Sequence, residues 1–310
     1  ELEKVRQQAI TGLREQESDT GSMASRALRE QLYPEGHPYR IPVSGEIDSV
    51  SVLTSDDLSA YHKRSFGPSV TTIALVGGVE NLDAVVAQVE RVFGSWITPV
   101  AVARDVPPVD PPASTARKSY VISDKSQADI AIGYPSLPRS LEKPYFAVNM
   151  ANVILGQLGL MGRLGANVRD KQGLAYYASS SFNGGTANSV WSARAGVDPG
   201  NIQRALDAIL SELRRIREEQ VTSDELADAK SYLIGSLPLG LESLGGVAGL
   251  LLAIEKFGLG LDYLERYPDY IRDLTRDDLL QSAQSYLDPD RLVIGIAGPE
   301  SIETEEPTDA

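Results

Sequence analysis

The chain repeats part of itself, and this limits its possible folds more than any other feature. Leu53-Thr54-Ser55-Asp56-Asp57-Leu58 is followed by Gly67-Pro68 and the apolar run Thr72-Ile73-Ala74-Leu75-Val76-Gly77. Leu274-Thr275-Arg276-Asp277-Asp278-Leu279 is followed by Asp288-Pro289 and Leu292-Val293-Ile294-Gly295-Ile296-Ala297-Gly298, at a constant offset of 221 residues. Each copy reads as a helix capped by Thr with a reciprocal Asp three positions on, then a strand. Upstream, residues 2–13 echo 226–237 at an offset of 224, pairing Ile10 with Ile234 and Leu13 with Leu237. Three matched elements in one order indicate duplication rather than a chance likeness of two helix-then-strand units.

The copies fall on either side of a proline-rich connector, residues 97–118, which carries Pro99, Pro107, Pro108, Pro111 and Pro112. Proline at that density gives an extended segment that neither a helix nor a central strand tolerates. It separates a first part, 1–96, from a second, 119–300, and residues 301–310 form an acidic tail expected to be disordered. The second part has the fuller element order. Residues 119–134 predict two strands, with Ala128, Ile130, Ile132 and Tyr134 alternating on one face. Helices follow over about 145–155 and 161–170, then a hairpin, 176–182 and 189–197, turning at Asn183-Gly184-Gly185. Asp198-Pro199 opens a helix striped by Ile202, Leu206, Ile209, Leu213 and Ile216, and Thr222-Ser223-Asp224-Glu225 caps the next. Strands first, helices grouped, then a closing strand indicate an α+β fold. The first part matches only the back half of this unit, so its front half is expected outside these residues.

Composition excludes several classes of function. The net charge of -14 argues against a nucleic-acid partner, which needs cations against phosphate. The absence of cysteine removes thiol nucleophiles, disulfides and Cys-based zinc sites together. The longest apolar run, 247–254, is too short to span a bilayer, so no transmembrane segment is expected. His37 and His62 are the two histidines; they stand 25 residues apart and neither belongs to an H-E-x-x-H or H-x-x-E-H arrangement. Both read as surface or loop histidines, and no metal ligand is assigned. No G-x-S-x-G elbow and no phosphate loop is present; Gly245-Gly246-Val247-Ala248-Gly249 reads as close packing or a helix start.

Two neighbouring features could bind a ligand. Gly156, Gly159, Gly162 and Gly165 recur every third residue between two helices. They permit either a plain connecting loop or one that receives an extended ligand. Arg169 and Tyr176 then bracket Asp170-Lys171-Gln172-Gly173-Leu174-Ala175. A guanidinium fork and one directional hydroxyl could clamp a peptide backbone, or be an ordinary surface arginine and half-buried tyrosine.

The run from Gly162-Arg163-Leu164 through Arg169 to Gly173-Leu174-Ala175-Tyr176 resembles the "SRL…IR-x-x-x-GLAY" signature of insulinase-type (pitrilysin-like) zinc metallopeptidases, which include the mitochondrial processing peptidase and paired bacterial peptidases. Ala24-Ser25-Arg26-Ala27-Leu28, His37-Pro38-Tyr39, Pro42-Val43-Ser44-Gly45 and residues 53–58 resemble the back half of that family's first domain. The resemblance implies two homologous α+β domains, the first present here only as its back half, closing around a peptide substrate. It assigns Arg169 and Tyr176 to substrate binding and assigns no catalytic residue; Gly159 and Gly162 of the adjoining loop are expected to bind substrate with them. The family's zinc motif belongs to the absent front half. Gly12 stands where the family's third zinc ligand, a Glu, would lie, with Glu15 one turn away. No zinc or other cofactor is therefore expected in this chain; zinc is expected on a catalytic partner or an upstream segment. A homologous catalytic subunit or a homodimer is the expected assembly, and the paired bacterial proteins point to the periplasm or cell envelope. A scaffold without peptidase role and a C-terminal fragment of a complete peptidase are the alternatives.

Overall fold

Helices dominate the first part: α1 (Leu2–Glu17), α2 (Thr20–Leu32), α3 (Ile47–Val52), α4 (Ser55–Ser65) and α5 (Leu82–Phe93). The second part holds the strands β1 (Ala116–Val121), β2 (Ala128–Ser136), β3 (Ala175–Asn183), β4 (Ser189–Val197) and β5 (Val293–Gly298). Its helices are α6 (Lys143–Asn152), α7 (Ile202–Glu218), α8 (Ser223–Gly240), α9 (Leu244–Phe257), α10 (Tyr263–Arg272) and α11 (Arg276–Tyr286). These elements come from a computed structural model that describes residues 1–96, 106–187 and 189–301. Much of the proline-rich connector and nearly all of the acidic tail thus lie outside the described residues. The strand expected after the connector starts at Ala116, inside the proline-based boundary, because Pro112 is the last proline before it.

The strands form one mixed sheet in the order β1-β5-β2-β4-β3, with only β1 and β5 parallel. One face of the sheet carries Ala128, Ile130, Ile132, Trp191, Ala193, Ala195 and Ile296 into the main core. The buried α7 stripe from Ile202 to Ile216 packs into the same core, as do residues of α6, α8 and α11. The other face is covered by α2, a helix of the first part: Ala24, Leu28 and Leu32 pack on Ala131, Val293 and Ala297. The crossing is close. A Cβ built on Gly295 would lie 2.1 Å from the Ala24 carbonyl oxygen and 2.5 Å from the Leu28 amide nitrogen. Glu30 of α2 ties the same face down, accepting from Lys118 and from the Tyr120 hydroxyl on β1. The reciprocal caps at Thr54, Thr222 and Thr275 all form.

The two sequence copies meet different fates. Leu279, Ile294 and Ile296 are buried, whereas their counterparts Leu58, Ile73 and Leu75 are 45%, 46% and 56% exposed. Residues 72–77, expected as a strand, form none. A strand needs a ladder partner for its N–H and C=O groups. β5 has two, β1 and β2, while 72–77 pairs with no other strand among the described residues. Helices α3, α4 and α5 likewise bury no side chain. No single helix among the described residues is long and apolar enough to cross a membrane.

This contrast sets an expected proteolysis pattern for the 310-residue chain. Segments with few buried contacts open at little cost. Thermolysin under native conditions should cut first between residues 43 and 96, leaving a resistant product that contains 116–298. Equal protection of both regions by mass spectrometry would overturn the assignment of low local stability.

Candidate functional site

The glycine-rich segment is not a plain loop. After α6 the chain continues as a π-helical stretch, Val153–Gln157, makes one 3₁₀ turn at Gly159–Met161, and enters a second π-helical stretch, Gly165–Lys171. Gly156 lets this path lie directly on β3, since a Cβ there would stand 2.4 Å from the Ser180 amide nitrogen. Buried polar side chains fix it from within. The Trp191 indole donates to Asn152 Oδ1 at 3.1 Å, and Asn167 Nδ2 donates to Glu212 Oε1 at 2.7 Å. Arg163, 7% exposed, donates two bonds of 2.7 and 2.9 Å to the Glu225 carboxylate on α8. Burial pushes the Glu225 carboxyl up, but Arg163 and the Thr222 backbone amide more than reverse this and hold it at about 2.

On this platform the expected residues take distinct places. Gly159 has open space around its Cα and a φ of +62°, and it leads into Leu160 and Met161, which are 50% and 80% exposed. Gly162 is buried and packs on Gly156, so it shapes the segment from inside and does not line its surface. Arg169 is exposed on the last turn of the second π-helical stretch. Its guanidinium has no hydrogen-bond or ion-pair partner among the described residues. Gly173, at φ +62°, then turns the chain into β3, closed by a Leu174 N–H bond to the Val168 carbonyl of 3.0 Å. Tyr176 follows, 61% exposed and with an equally unpartnered hydroxyl among the described residues. Arg169 thus lies near the end of the segment before the Gly173 turn, and Tyr176 is the second residue of β3, an edge strand of the sheet.

Sequence reasoning missed the residues that support this edge. Tyr177 donates to Asp129 on β2, and Thr20 Oγ1 and Gln127 Nε2 donate to the same carboxylate. Asp129 is 3% exposed, a lone acid in the apolar strand Ala128–Ser136, and that isolation was its only signal. Burial, then the hydrogen bond and charge of Asp129, push the Tyr177 hydroxyl up, so it remains a donor at neutral pH.

The histidines do not form a metal site. His37, expected at the surface or in a loop, is in a loop but only 4% exposed. It stacks on Tyr33, its Nδ1 accepts from the Tyr39 amide, and its Nε2 lies 3.1 Å from the Pro107 carbonyl oxygen. His62 is stacked on Phe66 and Trp96. Gly12, within α1, offers no donor side chain, and among the described residues no three His, Asp or Glu side chains converge. The described residues do not offer a donor set that fits a zinc ion.

The peptidase M16 inactive-domain model matches residues 53–233. An uncharacterized zinc protease of Streptomyces coelicolor is 31% identical over 215 residues, covering 66% of this chain and 45% of that protein. A non-peptidase homologue from Helicobacter pylori is 23% identical over 304 residues, covering 95% of this chain and 67% of that protein. The crystal structure of a peptidase M16 inactive domain from Pseudomonas fluorescens superposes with a TM-score of 0.83 at 27% identity, covering 96% of this chain and 70% of that one. The chain spans about half the length of the curated zinc-protease relatives it matches.

Proposed function

Because the chain belongs to the peptidase M16 family, with a match to that family's inactive domain, we propose that it is a peptide-holding, non-catalytic part of a zinc endopeptidase. In this reading Arg169 and Tyr176 bind the backbone of an extended peptide. Zinc, its activated water and a general-base Glu come from a homologous catalytic subunit or a segment outside these residues. One observation carries the proposal: an exposed arginine just before the Gly173 turn and an exposed tyrosine just after it, the second residue of an edge strand, have no intramolecular partner among the described residues. A guanidinium already bonded inside the protein would have to give up those bonds to take a carbonyl; this one has none to give up. The platform beneath is held by buried polar pairs, which limits the ordering cost of binding.

A basic peptide suits the net charge of -14. Fluorescence anisotropy with a fluorescein-labelled, unstructured peptide rich in Leu and Lys tests the reading. Arg169→Ala should weaken binding by about ten- to a hundredfold, the worth of hydrogen bonds from a charged group. Tyr176→Phe should cost about three- to tenfold for one neutral hydroxyl. The second reading is a scaffold on the same fold, with which the non-peptidase homologue of Helicobacter pylori is also consistent. It expects no binding, or an affinity that neither substitution changes, and either result would remove the peptide-holding role.

A further inference from the structure

Tyr176 owes its exposure to an irregularity in β3. Ala175 pairs with Val197 and Tyr177 with Gly196, which leaves Tyr176 as an extra residue, a β-bulge. Side chains alternate along a strand, so positions 175 and 178 should face opposite ways. Here Ala175 and Ala178 both pack on the main core, which is possible only if one residue between them is taken out of the alternation. Bulges of this kind re-aim a side chain and occur at sheet edges.

The residue after the bulge is anchored unusually far away. On the outer face, Tyr177 of β3, Gly196 of β4 and Asp129 of β2 lie in one lateral row. The Tyr177 ring crosses over Gly196 to reach Asp129, two strands distant. Only glycine permits this, because a Cβ at position 196 would stand 2.5 Å from Tyr177 Cε1 and 2.7 Å from Gln127 Nε2. Among the described residues no lysine or arginine bonds to Asp129, and it lies beside the first turn of α2, where Thr20 donates to it. A carboxylate buried in this way needs all its donors, so the network is held as a unit.

We propose that Tyr177, held by Asp129 across Gly196, is a positioning residue that locks the β3 bulge and so presents Tyr176 to the peptide. Through Thr20 the same network links α2 of the first part to that tyrosine. This rests on the reading of Tyr176 as a peptide contact, and it can be tested separately from it.

Fluorotyrosine placed at position 176 in the full chain gives a fluorine NMR signal that reports the setting of that ring whether or not a peptide binds. Tyr177→Phe removes only the anchoring hydroxyl, and it should shift and broaden that signal. Asp129→Ala should do the same, whereas Asp129→Asn, whose amide oxygen still accepts from Tyr177, should restore most of the wild-type signal. Thr20→Val should move it in the same direction by less. With the Leu- and Lys-rich peptide, Tyr177→Phe should weaken binding by about tenfold, roughly the worth of one hydrogen bond to a charged group. In a Tyr176→Ala background it should add no further loss, because the effect acts through Tyr176. A position-176 signal unmoved by both Tyr177→Phe and Asp129→Ala overturns the positioning role. If the signal moves but the wild type, Arg169→Ala and Tyr176→Ala bind the peptide alike, positioning stands and the peptide-holding reading falls.

Discussion

Gly295→Ala should lower the stability of the chain by about 3 kcal/mol, the upper end of what overpacking a core costs. The added methyl would meet the Ala24 carbonyl oxygen and the Leu28 amide nitrogen, both backbone atoms of α2. Neither can rotate away, so the helix itself must lift from the sheet. Lifting it strains the packing of Ala24, Leu28 and Leu32 on Ala131, Val293 and Ala297. It also stretches the bonds from Lys118 and Tyr120 to Glu30 and from Thr20 to Asp129, which join the same helix to β1 and β2. In a thermal melt this should appear as a drop of about 6–10 °C. The internal repeat supplies the control. Ala74 is the counterpart of Gly295, lies in a segment that forms no strand, and is only partly buried. Ala74→Val, also an enlargement, should change stability by no more than about 0.5 kcal/mol. A melt in which both substitutions behave alike would mean that α2 does not seat on the sheet as closely as Gly295 implies.

The same comparison shows what could be read from the sequence and what could not. The α7 stripe, the three Thr caps and the hairpin were legible because each is set by residues within a few positions of one another. The α+β class followed from their order. Residues 72–77 and β5 share an apolar pattern, yet only β5 is a strand. Strand formation depends on a neighbour far along the chain, and local pattern carries no information about whether one is present. His37 is buried for a similar reason, through contact with Pro107, 70 residues on. At the site, Arg169, Gly173 and Tyr176 could be picked out by type and spacing; in the structure Arg169 lies near the end of the second π-helical stretch, Gly173 turns the chain and Tyr176 is the second residue of β3. Their support could not. Tyr177 and Asp129 are 48 residues apart, and the contact exists because position 196, on the strand between them, has no side chain. Nothing within a local window of sequence signals such a row.

Arg163→Ala should cost about 3 kcal/mol, the lower end of the range for breaking a buried ion pair, because the Glu225 side chain is 26% exposed and regains some water. The loss is more than packing, and its pH dependence shows this. Folded, Glu225 titrates at about 2, well below the ordinary value of 4.5. Glu30 is also held at about 2, where burial raises it and the bonds from Lys118, Tyr120 and Arg26 lower it further. A carboxyl depressed on folding gives stability that is fully present above its unfolded value and lost as pH falls through its folded one. Between about pH 4.5 and 2 the unfolded chain binds more protons than the folded chain, so wild-type stability should fall with acid across that window. Arg163→Ala should unfold with a shallower pH dependence there, by up to about one proton, while the part due to Glu30 persists. Arg163→Met keeps the apolar stem but leaves Glu225 unpaired, and it should lose nearly as much as the alanine variant. Adding Glu225→Gln to Arg163→Met removes the stranded charge and should recover most of the stability. The pair also joins the glycine segment to α8, so the single variants should increase amide exchange at residues 159–171, next to Arg169 and Tyr176. Full stability of Arg163→Met at pH 7, or an acid transition with the wild-type slope, would mean that the charge of Arg163 does not hold this segment in place.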